Sequence, residues 1–191
     1  MIKVKKGTEP EEFINYKRKN TIINWDSYNY EIKEILKNKL LTETEGKCCP
    51  YCETEISSDN SHIEHIKPKD KFPNLLSDYN NLIPCCTNNK RCGASKTNQW
   101  NDLFINPVSE NPEDFFKYDL KTGKILPAYD TGLEFNKAEI TIKFLNLNES
   151  RLVDARKNYI IQFHKVDPSS RQYLVFYPSL KRYLEKLCKS S

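Results

Sequence analysis

Residues 49–96 hold two cysteine pairs, and the spacing of these pairs constrains the fold more than any other feature of the sequence. The first pair belongs to the run Cys49-Pro-Tyr-Cys52, a spacing at which one tight turn presents two thiolates to the same tetrahedral ion. A second pair is needed to close the shell, and Cys86 and Cys92 are able to supply it. The pattern therefore predicts a small module built around a metal ion.

A histidine and glutamate cluster lies between the two pairs. His62, Glu64 and His65 offer nitrogen and oxygen ligands, which suit a second metal ion with open positions for water and substrate. On a regular strand His62 and Glu64 share one face, and His65 points to the other. Either a local bend brings Glu64 and His65 to one metal ion, or the two residues divide their roles.

Four submotifs in sequence order resemble the HNH endonuclease family: Cys-x2-Cys-Glu, His-x-Glu-His-x-x-Pro-Lys, Asn-Leu-x-x-x-Cys and Cys-Gly-x-x-Lys. A narrower similarity is to PtuB-type HNH proteins, which occur with an ATPase partner, PtuA, in Septu and retron anti-phage systems. It is carried by Cys49-Pro-Tyr-Cys-Glu53, His62-Ile-Glu-His-Ile-Lys-Pro-Lys69 and Phe104-Ile-Asn-Pro107. It continues more weakly through Leu145-Asn-Leu-Asn148 and Arg156.

The resemblance implies a role for each polar residue of the cluster. Glu64 would bind a catalytic divalent ion, Mg²⁺ or Mn²⁺, and His65 would act as general base on the attacking water. His62 is expected as a second ligand of that ion, with a phosphate contact or a structural hydrogen bond as alternatives. Asn81 would hold the following loop and orient His65. Lys96 is expected to face substrate phosphate as a point charge or to be an ordinary solvent-exposed lysine.

The resemblance also assigns the cysteines. Because Cys48 and Cys85 are each adjacent to a proposed ligand, either could replace it on chemical grounds alone. The ligands that the resemblance selects for a structural Zn²⁺ are Cys49, Cys52, Cys86 and Cys92. It leaves Cys48, Cys85 and Cys188 free.

Gly93 departs from the common HNH pattern, in which many relatives place His or Asn directly after the last cysteine. PtuB-like proteins share the Cys-Gly form, so a glycine at this position is compatible with activity. It nevertheless leaves the third ligand of the catalytic ion unassigned. Asn88, Asn89 and Asn98 are candidates by chemistry alone.

The 191 residues are enough for one α+β domain with helical elaborations. We expect a ββα-metal core with its zinc knuckle in residues 46–104 and an N-terminal helical extension in residues 1–45. A mostly helical C-terminal α/β extension, residues 105–191, would pack on the module or bind a partner. Trp25 and Tyr30, beside the apolar stripe of the N-terminal helices, are predicted to be core aromatics.

Local patterns predict the individual elements. Residues 9–41 should form two helices, the second beginning near residue 27. The two strands of the core are predicted at residues 53–56 and 63–66, and a hairpin at residues 116–126. Asn148 is predicted to be the N-cap of the next long helix.

The net charge of +4 is unevenly distributed. Residues 61–100 carry six Lys or Arg against three Asp or Glu, and residues 165–191 carry six against two. This concentration of positive charge favours binding to the phosphate backbone of a nucleic acid. Because no apolar run has the length of a signal peptide or membrane span, we expect a cytoplasmic protein without a membrane partner. In that compartment the seven cysteines are not expected to form disulfides, and an odd number clustered at ligand spacing favours metal binding.

These features predict a metal-dependent endonuclease that hydrolyses DNA as the effector of an anti-phage complex with a PtuA-like ATPase. RNA, including tRNA, is an alternative substrate, because activation of an external water needs no 2′-hydroxyl. Retron RNA or DNA is a further expected partner through the complex. The competing class is a non-catalytic zinc knuckle that binds nucleic acid or the ATPase, which would not need the pair Glu64 and His65. A thiol redox role is disfavoured because no thioredoxin-like βαβ pattern surrounds the first cysteine pair.

Overall fold

The computed structural model describes residues 1–190, with side chains through residue 189, and this part contains six α-helices and four short strands. The helices are α1 (Glu11–Lys19), α2 (Tyr30–Leu41), α3 (Gly93–Lys96), α4 (Gly132–Leu145), α5 (Ser150–Lys165) and α6 (Pro178–Ser190). The strands are β1 (Ser61–His65), β2 (Leu82–Cys86), β3 (Phe116–Tyr118) and β4 (Ile125–Pro127). They form two separate antiparallel pairs, β1 with β2 and β3 with β4.

The strand pair that carries the site corrects one prediction. β1 lies close to the predicted second strand, but its partner is β2, and the predicted strand at residues 53–56 is wrong. In that stretch only Glu55 makes a single bridge, to Cys48. Glu53 has a left-handed φ of +63°, and its buried carboxylate accepts from the backbone N–H of Ser179 at 2.8 Å. The segment therefore turns to bring the first cysteine pair inward, and the fully buried, apolar β2 completes the pair with β1.

The N-terminal extension packs on one face of this strand pair. It forms a hydrophobic cluster with the beginning of β2, against which Ile63 and Trp25 also pack. The buried members of the cluster are Phe13, Tyr28, Ile32, Leu36, Leu40, Tyr79 and Leu82. The elements that carry His65 and the N-terminal helices are thus held together by apolar burial.

The two predicted N-terminal helices are present as α1 and α2, with one boundary moved. α2 begins three residues later than predicted, because Asn29 is its N-cap and accepts from the N–H of Ile32 at 2.9 Å. The preceding residues, Trp25–Ser27, form a separate 3₁₀ turn. Tyr30 is 77% exposed, so its assignment to the core is wrong, whereas Trp25 is half-buried.

The C-terminal extension shares a second, larger core with the cysteine segment, including Tyr51, Ile105, Leu145 and Phe163. The predicted hairpin is confirmed as β3 and β4. The predicted N-cap at Asn148 is wrong. Its side-chain amide instead donates to and accepts from the backbone of Ile125, both at 2.9 Å, which ties the start of α5 to β4.

Glu149 caps α5 in place of Asn148, and its carboxylate accepts from the backbone N–H groups of Arg151 and Leu152, each at 3.2 Å. None of the helices in residues 1–190 is long and apolar enough to cross a membrane.

Candidate metal centre and active site

The four selected cysteines converge on one point. The Sγ atoms of Cys49, Cys52, Cys86 and Cys92 all lie within 4.8 Å of one another, and the four side chains are buried. The Sγ atoms of Cys49 and Cys92 are 4.0 Å apart, and those of Cys52 and Cys86 are 3.7 Å apart. A tetrahedral ion with Zn–S bonds of about 2.3 Å would hold its sulfurs about 3.8 Å apart. The donor set and its dimensions therefore fit one tetrahedral, thiophilic metal ion.

The backbone shapes this cluster. The N–H of Glu53 donates to the carbonyl of Cys49 at 2.8 Å, which closes the turn of the first pair. Cys92 adopts a left-handed φ of +57°, and its N–H donates to the carbonyl of Leu145 at 2.8 Å. Hydrogen bonding, chiefly from Cys49, lowers the pKa of Cys52 to about 7. The pKa of Cys86 is lowered as well, whereas burial raises the pKa of Cys49 and Cys92. Thiolates are the form that binds metal, so Cys49 and Cys92 would release their protons as the ion binds.

Arg91 brings a buried positive charge to the cysteine cluster, and the sequence analysis missed it. Its Nη1 donates to the Glu149 carboxylate at 3.2 Å, while its Nε has no hydrogen-bond partner among the described residues. Burial alone would lower the pKa of Arg91, but interactions with Cys52 and Cys92 outweigh this and the pKa is raised. The arginine thus lies between the thiols and the N-cap of α5. Its position beside Cys92 was the signal in the sequence.

The strand β1 carries a second set of ligand atoms. His62 and Glu64 share one face of β1, as predicted, with His62 Nε2 at 3.5 Å from Glu64 Oε2. Gly93 lies against both, since a Cβ at this position would be 2.7 Å from Glu64 Oε2 and 3.0 Å from His62 Nε2. The glycine that replaces the usual ligand therefore makes room for the imidazole of His62.

Lys96 lies beneath Glu64 rather than at the surface. Both interpretations of the sequence placed this ammonium in solvent or at substrate, but its side chain is 1% exposed. Its Nζ is 2.9 Å from Glu64 Oε1 and donates to the carbonyl of His65 at 3.1 Å. Burial alone would raise the pKa of Glu64, but His62 and Lys96 outweigh it, so the pKa is lowered and the carboxylate stays ionised.

His65 has a different set of contacts from Glu64. Its ring packs edge-on against Trp25, with centroids 4.7 Å apart, and its Nε2 is 3.0 Å from the carbonyl oxygen of Leu76. A carbonyl only accepts, so Nε2 carries the proton and Nδ1 is left as the acceptor. Burial lowers the pKa of His65, and the hydrogen bond to Leu76 only partly offsets this. The ring is therefore neutral at physiological pH.

Asn81 fastens the loop that holds His65. Its side-chain oxygen accepts from the N–H of Lys67 at 2.8 Å, and its amide donates to the carbonyls of Lys67 and Leu75 at 3.0 and 3.2 Å. Leu75 precedes the residue whose carbonyl contacts His65. Asn81 therefore ties this loop to the start of β2, and its role in orienting His65 stays a prediction.

The other candidate ligands make contacts elsewhere. Asn98 donates to the carboxylate of Asp70 at 2.6 Å, and Asn88 accepts from the N–H of Lys90 at 3.0 Å. Asn89 is exposed. Of the residues that the structure describes, His62 is the one whose ligand nitrogen lies beside Glu64 Oε2.

No family model matches the chain. Several curated proteins are similar to it. One of them is a retron Vc95 protein of Vibrio cholerae serotype O1 biovar El Tor, whose name assigns it provisionally as an HNH endonuclease. The two are 33% identical over 163 residues, which cover 80% of this chain and 78% of that protein. The chain belongs to the PtuB-type HNH endonuclease family.

Two further relatives of this family extend the comparison. The Septu protein PtuB of Bacillus thuringiensis is 33% identical over 165 residues, covering 82% of this chain but 58% of that protein. A retron Ec83 protein of Escherichia coli, also named provisionally as an HNH endonuclease, is 27% identical over 208 residues, covering 86% of this chain and 81% of that protein. The predicted family is thus confirmed.

Proposed function

We propose that the protein is a metal-dependent endonuclease that hydrolyses phosphodiester bonds through a ββα-metal element formed by β1, β2 and α3. The observation that supports this proposal is that β1 presents candidate metal ligands and the imidazole of His65 at separate positions. One face presents the ligand atoms of His62 and Glu64, 3.5 Å apart, and His65 presents a neutral imidazole with its own fixed contacts. A closed cluster of cysteines stabilises the module beside them.

Glu64 and His62 would hold the catalytic divalent ion, Mg²⁺ or Mn²⁺. One carboxylate oxygen and one imidazole nitrogen at this separation suit neighbouring positions of one small cation. When bound, such an ion neutralises charge that develops on the phosphate and on the leaving oxygen. Lys96 occupies the other oxygen of Glu64 and so fixes the direction in which the carboxylate presents its free oxygen.

His65 would act as general base. Its Nε2–H donates to Leu76, so the tautomer is fixed and Nδ1 is free to take a proton from the attacking water. Because burial lowers the pKa of His65, the imidazole is already in the neutral form that a base requires. Asn81 supports this geometry by binding the loop that supplies the carbonyl.

The structural ion of the four-cysteine cluster is proposed to be Zn²⁺, which four thiolates bind in closed tetrahedral sites. DNA is the proposed substrate, with RNA or tRNA as the alternative. The names of the relatives place them in retron and Septu systems. On that basis we propose that this chain is the nuclease effector of an anti-phage complex with a PtuA-like ATPase, and that retron RNA or DNA reaches it through that complex.

The test is cleavage of plasmid DNA and of total tRNA by the wild-type protein, His65→Ala and His164→Ala, alone and with any ATPase that co-purifies. Zinc is quantified in the same samples. We expect cleavage to need added Mg²⁺ or Mn²⁺ and to fall by about 10²- to 10⁴-fold in His65→Ala. His164 is exposed on α5, so its variant controls for loss of a histidine as such. Retained zinc and nucleic-acid binding without cleavage under any partner condition would support a non-catalytic binding module instead.

A further inference from the structure

The N-terminal extension forms one wall of a cleft beside His65, and this cleft has no part in the proposed metal-binding and catalytic roles. Residues 23–26 and parts of residues 69–76 enclose a volume of about 330 Å³. Two residues of its wall contact His65 directly, since Trp25 packs edge-on against the imidazole and the carbonyl of Leu76 accepts from it. The cleft therefore lies beside the group that is proposed to act on the substrate.

The walls of the cleft combine apolar faces with a charged rim. Ile23 is 81% exposed, and the half-buried ring of Trp25 lies beside it in the same wall. The rim carries the carboxylates of Asp26 and Asp70 and the ammonium of Lys69. Apolar faces can sandwich a flat ring, and carboxylates can accept from amino groups on its edge.

The exposure of Ile23 is fixed by hydrogen bonds. Its N–H donates to Ser27 Oγ at 3.2 Å, and the side chain of Asn24 accepts from the N–H groups of Asp26 and Ser27 at 2.9 and 3.1 Å. This capping box holds the turn that presents Ile23 to solvent. Ile23 is also absent from both hydrophobic clusters of the described residues, whereas its neighbour Ile22 packs on one of them.

We propose that this cleft binds one unpaired nucleobase of the substrate, next to the phosphodiester that is cleaved. The proposal rests on the proposed function and specifies its substrate, a nucleic acid with an unpaired base at the cleavage site. Stacking on apolar and aromatic side chains is how proteins hold unpaired bases. Lys33, with its Nζ 5.9 Å from the centre of the Trp25 ring, and Lys69 add positive charge for the flanking phosphates.

The binding test uses full-length Glu64→Gln protein, so that binding is measured without cleavage. The probes are single-stranded DNA and RNA oligonucleotides that carry 2-aminopurine, with fully paired duplexes for comparison. We expect quenching of 2-aminopurine fluorescence with the single strands, and an affinity about 4- to 50-fold lower when Ile23→Ala removes up to three carbons that the base would cover. Leu133→Ala is the matched control, because this 57% exposed side chain on α4 lies outside the cleft. The preferred sugar identifies the substrate as DNA or RNA.

The cleavage test compares the wild-type protein, Ile23→Ala and Leu133→Ala on substrates with an unpaired base and with an abasic residue at the same position. We expect Ile23→Ala to raise KM on the unpaired base and to leave the abasic substrate unaffected. An equal loss on both substrates, or no loss of binding in Ile23→Ala, would overturn the proposal. If the protein cleaves but cleavage does not depend on Ile23, the base-binding proposal fails and the proposed nuclease function stands. If fluorescence quenching depends on Ile23 but the protein does not cleave, the cleft binds a base and the proposed nuclease function fails.

Discussion

The cysteine cluster and the His62–Glu64 pair both use the strand pair of β1 and β2, through Cys86 of β2 and through β1, but differ in how completely they enclose an ion. Four buried thiols within 4.8 Å of one another form a closed shell, whereas His62 and Glu64 offer two ligand atoms beside a half-exposed imidazole. A structural ion is enclosed by protein ligands, and a catalytic ion keeps positions for water and substrate. Each site also has its own buried cation, Arg91 at the thiols and Lys96 at the carboxylate.

The largest effect should come from opening the closed shell. Cys52→Ser replaces a thiolate ligand by a hydroxyl and should leave the module unfolded, because structural zinc contributes about 10–16 kcal/mol of apparent binding free energy. Typical domains are stable by only about 5–15 kcal/mol. Circular dichroism and zinc content measure the outcome, with the exposed Cys188→Ser as the control that should retain both. If Cys52→Ser folds without metal, the four-cysteine site is not needed for the fold, and the contrast between a structural and a catalytic site fails.

Gly93→Ala should damage the open site and spare the fold. The added Cβ would lie 2.7 Å from Glu64 Oε2, so the carboxylate must shift, and a displacement of about 1 Å can cost about 10²-fold in rate. Stability should change less than activity, because the atoms nearest to the added Cβ belong to the side chains of Glu64 and His62 and not to the backbone. The measurements are cleavage as a function of Mn²⁺ concentration and thermal unfolding.

Ala94→Gly is the matched control, since it makes the reverse change at an exposed position of the same helix. It should lower stability slightly and leave cleavage unchanged. Unimpaired cleavage in Gly93→Ala would show that Glu64 and His62 do not need the space beside this glycine.

Arg91→Met should weaken the closed site without removing a ligand. Losing the guanidinium leaves the charge of the buried thiolates uncompensated and Glu149 unpaired, and such supporting contacts typically change metal affinity by about 10- to 100-fold. Competition with a chromophoric chelator measures the affinity. Lys90→Met removes a positive charge from the same loop at an exposed position and should have little effect. Equal losses in the two variants would indicate a general effect of charge rather than a contact of Arg91.

The smallest expected effect concerns the pH dependence of cleavage. As the proposed base, His65 would act in its neutral form, and because burial lowers its pKa this form persists to lower pH than for an ordinary histidine. The acid limb of kcat should therefore have its midpoint below about 6.5. A pH profile of single-turnover cleavage at saturating metal measures it. A midpoint at or above that value would mean that His65 is solvated during turnover or that another group is the base.

The sequence by itself predicted the two groups of candidate ligand side chains. The family resemblance selected the four thiols that converge, starting from a first pair recognised by its spacing, and the alternation of a strand placed His62 with Glu64 and away from His65. These are local relations, because two thiolates in one turn or two residues on one strand are positioned by backbone geometry alone.

Only the tertiary structure decided which segments meet. The partner of β1 is β2 rather than residues 53–56, Arg91 pairs with a residue 58 positions away, and Lys96 lies beneath Glu64. The cap of α5 is Glu149 because the fold uses Asn148 to bind β4. Each outcome depends on burial shared between distant segments, since a charged side chain is stable inside a protein only when the fold brings it a partner. The spacing of residues along the chain does not indicate which distant residue will be that partner.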